Sequence, residues 1–167
     1  MMKEDHMTSE SEIWALLSEI PDPEIPVISI VELGVVRKVT VNGTSVHVTI
    51  TPTYSGCPAM KQMEDDVKQK LADKGFETIE VTMTYSPAWT TDWLSEEAKL
   101  KLQSYGIAPP EESTSDKSFI SGKPKTVTCP RCKSKHTSLI SQFGSTACKA
   151  LYQCKDCLEP FDYFKCI

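Results

Sequence analysis

The cysteines are the residues of this sequence whose type and spacing most clearly suggest chemistry. Six of the seven lie within the last 39 residues, and Cys57 is alone in the rest of the chain. Four of the six form two C-x-x-C pairs separated by 21 residues: Cys129 with Cys132, and Cys154 with Cys157. Two tight turns that each present two thiolates are typical of a four-cysteine ribbon, in which one Zn²⁺ is held tetrahedrally. We therefore expect these four cysteines to bind a structural zinc.

Iron in the same four-thiolate site is the alternative, and it would make this segment a rubredoxin-like electron-transfer module. Rubredoxin-type knuckles usually have a glycine soon after the second cysteine, whereas Lys133 and Leu158 follow here, which favours zinc. A segment of about 40 residues can bury only a small core, so we expect the metal to supply much of its folding energy. Cys148 and Cys166 have no ligand spacing, and their roles stay open.

Cys57 is the second candidate for chemistry, because it stands between a predicted strand and a predicted helix. Pro58 is well suited to the first position of that helix, which would place Cys57 at the N-cap. The helix dipole and the unpaired N–H groups at such a place favour a thiolate. A thiolate there can act as a nucleophile or as a soft metal ligand, and a buried structural cysteine is the alternative.

Three carboxylates are candidate companions of Cys57. Asp22 and Glu24 lie in a segment stiffened by two prolines, and Glu32 follows shortly after. Proline fixes φ and removes a donor, so we predict a rigid acidic loop rather than a helix or a central strand. If that loop packs beside Cys57, thiolate and carboxylates would form an open, labile iron site that suits transfer better than storage. Solvated carboxylates without a ligand are the alternative.

Hydrophobic periodicity and turn residues predict the elements that position these side chains. Ser9 and Glu12 match a capping box that opens a short helix, which we expect to end near Pro21. Asn42-Gly43 predicts a two-residue turn that joins strands at 35–41 and 45–51. The later elements are a helix from Pro58 to Gly75, a strand at 79–85, and a helix from about Ser95 to Ser104.

This pattern predicts an α+β protein with two domains. We place a small α-β-β-α-β-α domain at residues 1–105, a linker rich in proline, glutamate and serine at 106–125, and a C-terminal four-cysteine zinc-ribbon domain at 126–167. Residues 1–122 contain 10 basic and 20 acidic residues, while residues 123–167 contain 8 and 3. Net charges of opposite sign indicate two parts with different partners.

Composition excludes several other classes of protein. With 40% hydrophobic and 25% charged residues, the chain is typical of soluble globular proteins. Its apolar runs are far shorter than the roughly 20 residues that span a bilayer. The first ten residues have no apolar h-region, so we expect no signal peptide and a cytoplasmic location. Phosphate-binding loops, nucleophile elbows and H-E-x-x-H motifs are absent from the sequence, which therefore shows no conventional enzyme site.

Several motifs resemble those of known families. The segments 22–27 (DPEIPV), 32–34 (ELG) and 54–58 (YSGCP) together resemble the small domain of SufT-like iron–sulfur-assembly proteins. With the ribbon included, and in particular its segments 143–152 (FGSTACKALY) and 159–166 (EPFDYFKC), the whole chain resembles the PaaD family of phenylacetic acid degradation proteins. The resemblance covers residues 11–105 and 126–167.

The PaaD resemblance implies an accessory or maturation role, rather than catalysis, in aerobic phenylacetate catabolism. The client would be the multicomponent di-iron phenylacetyl-CoA ring epoxidase (1,2-phenylacetyl-CoA epoxidase), with its oxygenase and reductase components as partners. Cys57 matches the family's reactive cysteine, Asp22 and Glu24 match its acidic motif, and Glu32 stands where many relatives have aspartate. We expect Cys57 to deliver or repair a transient iron or iron–sulfur centre, tuned by these carboxylates.

A nucleic-acid-binding zinc ribbon is the remaining alternative, motivated by the net charge of +5 in residues 123–167. Four thiolates and one Zn²⁺ would together contribute about −2 and weaken that positive field. We therefore expect neither nucleic acid nor a membrane among the partners.

Overall fold

The computed structural model of the chain describes residues 8–111 and 125–165. The described residues form two compact units. The first unit comprises those within 1–52 and 56–88, and the second comprises those within 53–55 and 89–167. The described residues contain both helices and β-sheets, so the predicted α+β class is confirmed.

The first unit combines helices with a sheet whose central strand is β2. Its elements are α1 (Glu10–Leu17), β1 (Val36–Asn42), β2 (Ser45–Ile50), α2 (Ala59–Lys74) and β3 (Thr78–Met83). β1 pairs antiparallel with β2, and β3 pairs parallel with β2. A parallel neighbour requires a crossover connection, and α2 supplies it, as the sequence predicts. The carboxyl ends of β2 and β3 therefore share one edge of this sheet.

The predicted helix signals are present in the first unit. Ser9 and Glu12 form the capping box, since the Ser9 N–H donates to the Glu12 carboxylate at 2.7 Å and the Glu12 N–H donates to Ser9 Oγ at 3.3 Å. Gly75 ends α2 with a φ of 103°. The apolar stripe of α2 is buried as predicted: Met60, Met63, Val67 and Leu71. None of the helices within residues 8–111 and 125–165 is long and apolar enough to cross a membrane.

The β1–β2 hairpin turns one residue later than predicted. Asn42 pairs with Ser45, so Gly43 and Thr44 occupy the turn rather than Asn42 and Gly43. The φ of Gly43 is 60°, which fits a two-residue turn with glycine at its first central position. The alternation within β2 follows the prediction, because one face is buried: Val46, Val48 and Ile50.

The second unit contains the ribbon and the chain that leads into it. Its elements are a 3-10 turn (Thr91–Trp93), α3 (Glu96–Tyr105), β4 (Ile107–Ala108), β5 (Thr137–Ser141), β6 (Lys149–Cys154) and β7 (Pro160–Phe164). Within the described residues, its sheet has the order β4-β7-β6-β5, antiparallel except for the parallel pair β4 and β7.

The first residues of the predicted linker include strand β4. Ile107 and Ala108 pair with Asp162 and Tyr163 of β7, because these two apolar residues are buried there rather than exposed. α3, placed by sequence in the first domain, belongs to the second unit. Residues 112–124 of the predicted linker lie outside the described residues, and the division at 105 and 125 stays a prediction.

Aromatic side chains build the core of the second unit, as expected for the ribbon. Tyr152 stacks on Phe161 with ring centroids 6.0 Å apart and meets Tyr163 edge-on at 5.8 Å. Trp89 meets Phe164 edge-on at 5.7 Å. Two cysteines of the C-x-x-C pairs are part of this core with no exposed surface: Cys129 and Cys154.

Candidate functional site: a four-cysteine group and Cys57

The four cysteines of the C-x-x-C pairs come together in the second unit. Their Sγ atoms all lie within 4.8 Å of one another. Cys129 Sγ lies 3.8 Å from Cys157 Sγ, and Cys132 Sγ lies 3.5 Å from Cys154 Sγ. A disulfide requires about 2.05 Å, whereas a tetrahedral ion with Zn–S bonds of about 2.3 Å spaces its sulfurs by about 3.8 Å. The group therefore fits one tetrahedral metal ion bound by four thiolates.

The backbone of each knuckle turns through a left-handed residue. Lys133 and Leu158, which directly follow the second cysteine of each pair, both have a φ of 65°. In the first knuckle the Lys133 N–H closes the turn on the Cys129 carbonyl at 3.0 Å. Glycine favours this conformation, but non-glycine residues occupy it here at some cost in strain. Both knuckles therefore keep the left-handed turn without the glycines that are usual in rubredoxin-type knuckles.

Asp156 links the two knuckles, a contact that the sequence did not indicate. Its carboxylate accepts a hydrogen bond from the Ser134 hydroxyl and lies 3.2 Å from His136 Nδ1. Ser134 Oγ also accepts the His136 N–H at 2.9 Å. The hydrogen bonds from Ser134 and His136 hold the pKa of Asp156 below its ordinary value. A residue between two metal ligands thus ties its knuckle to the other one.

The thiols of the group differ in acidity. The Cys157 N–H, helped by that of Asp156, lowers the pKa of Cys154 to about 7. The Glu159 N–H lowers the pKa of Cys157, but burial and the neighbouring thiols outweigh it and raise the value to about 12. Metal binding needs all four thiolates and releases their protons, so occupancy must weaken on acidification.

In the first unit, Asp22 organises the acidic loop. Its side chain is 3% exposed, and Oδ1 accepts the N–H groups of Glu24 at 2.9 Å and Ile25 at 2.7 Å. The Asp22 N–H donates to the Ile28 carbonyl at 2.9 Å. Aspartate commonly folds turns in this way by bonding to the following backbone. This network fits the rigid loop that the sequence predicts.

Glu32 is also used by the backbone of the loop. The Ser29 N–H donates to the Glu32 carboxylate at 2.9 Å, and the Glu32 N–H donates to Ser29 Oγ at 3.1 Å. This reciprocal pair is the S-x-x-E capping-box pattern, which is visible in the sequence and could have been found there. Two of the three candidate carboxylates therefore shape the loop.

Cys57 lies at the end of the connection from β2 to α2. It is 9% exposed and forms no disulfide. α2 starts at Ala59 with Pro58 as its N-cap, so Cys57 stands one residue before the cap and not, as predicted from the sequence, at the cap. The Cys57 carbonyl accepts the Met60 N–H at 3.3 Å. Proline cannot cap with a side chain, and the first turn of α2 has no side-chain cap.

The N-terminus of α2 differs from those of the other two α-helices in the described residues. α1 and α3 each have a serine cap and acidic residues in the first turn. α2 has neither a side-chain cap nor an acidic residue in its first turn. The positive end of its dipole is thus not offset by its own first turn, and it can stabilise an anion beside Cys57.

The structure brings together the ribbon ligands but not the other predicted set. Within residues 8–111 and 125–165, the four ribbon cysteines are the one group of three or more potential ligands close enough to share a metal ion. Cys57 and the carboxylates of Asp22, Glu24 and Glu32 do not form such a group. Their joint role in handling iron stays a prediction.

Comparisons with known families match both parts of the chain. Residues 10–85 match the family described as iron-sulfur cluster assembly protein. Residues 113–165 match the PaaD zinc beta ribbon domain. The first match contains the acidic loop and Cys57, and the second contains all four ribbon cysteines.

Relatives and a solved structure agree with these matches. The chain is 53% identical to a protein of Escherichia coli K12 named as a putative subunit of 1,2-phenylacetyl-CoA epoxidase, over 93% of this chain and 92% of that protein. It is 36% identical to the "Fe-S protein maturation auxiliary factor" of Porphyromonas gingivalis, over 60% of this chain and 97% of that one. The crystal structure of a domain of unknown function, DUF59, from Bacillus anthracis matches with a TM-score of 0.53 at 34% identity, covering 56% of this chain and 90% of that one. The chain therefore belongs to the PaaD family, in which an iron–sulfur-assembly domain is joined to a zinc beta ribbon.

Proposed function

We propose that this protein is an accessory factor of a 1,2-phenylacetyl-CoA epoxidase and that it delivers or repairs an iron or iron–sulfur centre through Cys57. The accessory role is supported by similarity to the epoxidase subunit of Escherichia coli and to Fe-S maturation factors. Iron handling by Cys57 goes further than these similarities and rests on the local structure.

The observation that carries the proposal is the thiol of Cys57 at the uncapped N-terminus of α2. The first turn of this helix has no side-chain cap and no acid of its own, so its N–H groups and dipole favour an anion. A thiolate in that field is a soft ligand suited to iron. Because no three-ligand group surrounds Cys57 in the described residues, the cargo would be held openly and released readily.

The carboxylates of the acidic loop would have two roles, one structural and one electrostatic. Asp22 and Glu32 hold the loop in shape through the backbone bonds described above. Glu24, which is only partly buried, would tune the charge of the cargo. Substitutions of the loop-shaping carboxylates Asp22 and Glu32 test the first role, since loss of either should lower the stability of the loop.

We infer that the ribbon holds a structural zinc and recognises the client. Four thiolates complete the tetrahedral shell and leave no open position for a substrate, as in structural rather than catalytic sites. Cys129, Cys132, Cys154 and Cys157 would hold the ion, which supplies folding energy to the second unit. The client surfaces would belong to the oxygenase and reductase components.

Substitution of Cys57 tests the proposal directly. In cells that depend on a plasmid copy of this protein, Cys57→Ala should abolish epoxidase activity while the oxygenase subunits are still made. Cys148→Ala is the matched control, because Cys148 is also a buried thiol that forms no disulfide and is outside the four-cysteine group. Full activity with Cys57→Ala would refute the proposal.

Electron transfer by iron in the ribbon is the second candidate. A tetrahedral set of four thiolates, here Cys129, Cys132, Cys154 and Cys157, suits iron as well as zinc. Metal analysis and the visible spectrum of the purified protein separate the two candidates. A colourless protein with about one zinc supports the structural ribbon, whereas iron–thiolate absorption supports electron transfer.

A further inference from the structure

Thr51 carries a buried hydroxyl that the fold does not use. The residue is 1% exposed. Of the buried side-chain oxygens and nitrogens in the part of the chain that the structure describes, Thr51 Oγ1 is the one without a hydrogen-bond partner. A buried hydroxyl without a partner costs free energy, so such groups are rare and call for an explanation. A bound ligand that completes the hydrogen bond is one such explanation.

The backbone fixes Thr51 at the carboxyl end of β2. Its N–H donates to the Val35 carbonyl at 2.8 Å, and the Thr84 N–H donates to the neighbouring Ile50 carbonyl at 2.8 Å. Pro52 follows and restricts Thr51 to extended conformations. A β-branched side chain on such a backbone has little rotamer freedom. The backbone and the branched side chain therefore restrict the positions that the hydroxyl can take.

This position coincides with the end of the sheet where ligands are expected. In α/β sheets, ligands bind beyond the carboxyl ends of parallel strands, beside the first turn of the following helix. β2 is parallel to β3, and the connection that starts at Thr51 leads to Cys57 and the uncapped first turn of α2. The unpartnered hydroxyl and the Cys57 thiol thus belong to the same strand-to-helix connection.

We propose that the Thr51 hydroxyl is the hydrogen-bond donor that the Cys57 site offers to its cargo, an anionic sulfur of an iron thiolate or iron sulfide group. This inference rests on the proposed function of Cys57. Hydrogen bonds to the sulfurs are among the factors that stabilise and tune such iron groups. The fold carries the cost of an unpaired hydroxyl, and the bound cargo removes that cost.

Thr51→Val tests this inference, because valine keeps the shape and removes the hydroxyl. If the fold does not use the hydroxyl, Thr51→Val should unfold at a urea concentration equal to or higher than that for the wild type. The purified full-length Thr51→Val protein would be reconstituted with Fe²⁺ and sulfide. It should bind iron about tenfold to a hundredfold more weakly than the wild type, as expected for a lost hydrogen bond to a charged group. Thr51→Ser, which keeps the donor, should restore binding to near the wild-type level.

Cys57→Ala serves as the reference. Iron that this variant still binds is assigned to other sites in the chain. If Cys57→Ala retains as much iron as the wild type, the proposed function of Cys57 fails. If Cys57→Ala loses iron while Thr51→Val binds it like the wild type, the inference about Thr51 alone is overturned. It is also overturned if Thr51→Val unfolds at a lower urea concentration than the wild type, since the hydroxyl would then serve the fold.

Discussion

Loss of one ribbon ligand should unfold the second unit while leaving the first unit folded. Cys154→Ser is the sharpest perturbation, since Cys154 has no exposed surface and is part of the aromatic core. Cys148→Ser is the matched control, because Cys148 is 3% exposed but does not belong to the four-cysteine group. Both substitutions replace one sulfur with oxygen in a buried place, so their difference isolates the metal.

The expected loss of stability follows from the small size of the core of the second unit. In the cluster that contains Cys154, the large side chains are Tyr152, Phe161 and Tyr163, each at most 7% exposed. At about 1.5–3 kcal/mol each, they contribute roughly 5–9 kcal/mol. A structural zinc contributes about 10–16 kcal/mol, which equals or exceeds the net stability of about 5–15 kcal/mol of most domains. Loss of the metal should therefore leave the ribbon unfolded.

Tryptophan fluorescence and zinc counting make this measurable. Trp89 is 4% exposed and packs edge-on against Phe164, so unfolding of the second unit should shift its emission to the red. We expect Cys154→Ser to lose its zinc and show the shift, and Cys148→Ser to keep both properties of the wild type. A metal-free Cys154→Ser protein with native emission and native circular dichroism would refute the reasoning.

Three further predictions concern the ribbon. Leu158→Gly should raise the free energy of unfolding by up to about 1 kcal/mol, because it relieves a left-handed residue that is 67% exposed, and a lower urea midpoint would contradict this. Asp156→Asn should lower the melting temperature at pH 7 by weakening the link to Ser134 and His136. The pKa of Asp156 is lowered from its ordinary value of 3.8, so in the wild type the link stabilises the fold above pH 3.8 and this stabilisation is lost as the pH falls below 3.8. Equal melting temperatures of the two proteins at pH 7 would count against the link. Binding to duplex DNA should be weak and show no steep dependence on salt, whereas a steep slope in a titration would revive the nucleic-acid-binding alternative.

Local signals made much of the fold predictable. The capping box of Ser9 and Glu12 and the apolar stripe of α2 involve residues three or four apart, and helix geometry fixes their relation. The C-x-x-C spacing is equally local within each knuckle, and the metal requirement joins the two knuckles. For the same reason the four ribbon cysteines could be named from the sequence.

Features that depend on distant partners could not be predicted in this way. The pairing of Ile107 with Asp162 and the link from Asp156 to Ser134 join residues that are far apart in the chain. The unpartnered hydroxyl of Thr51 is visible only once burial is known. Cys57 shows most clearly what the sequence can and cannot predict. Its predicted place at the start of α2 differs by one residue from the structure, whereas its relation to the acidic loop depends on packing that no spacing rule encodes.

The iron content of the oxygenase component tests the central claim most directly. The oxygenase would be purified from cells that make either the wild-type protein or Cys57→Ala, with Cys148→Ala as the control. If the proposed function is right, iron per oxygenase and epoxidase activity should fall together with Cys57→Ala and stay at the wild-type level with Cys148→Ala. An oxygenase that is fully loaded with iron and active in cells carrying Cys57→Ala would contradict it.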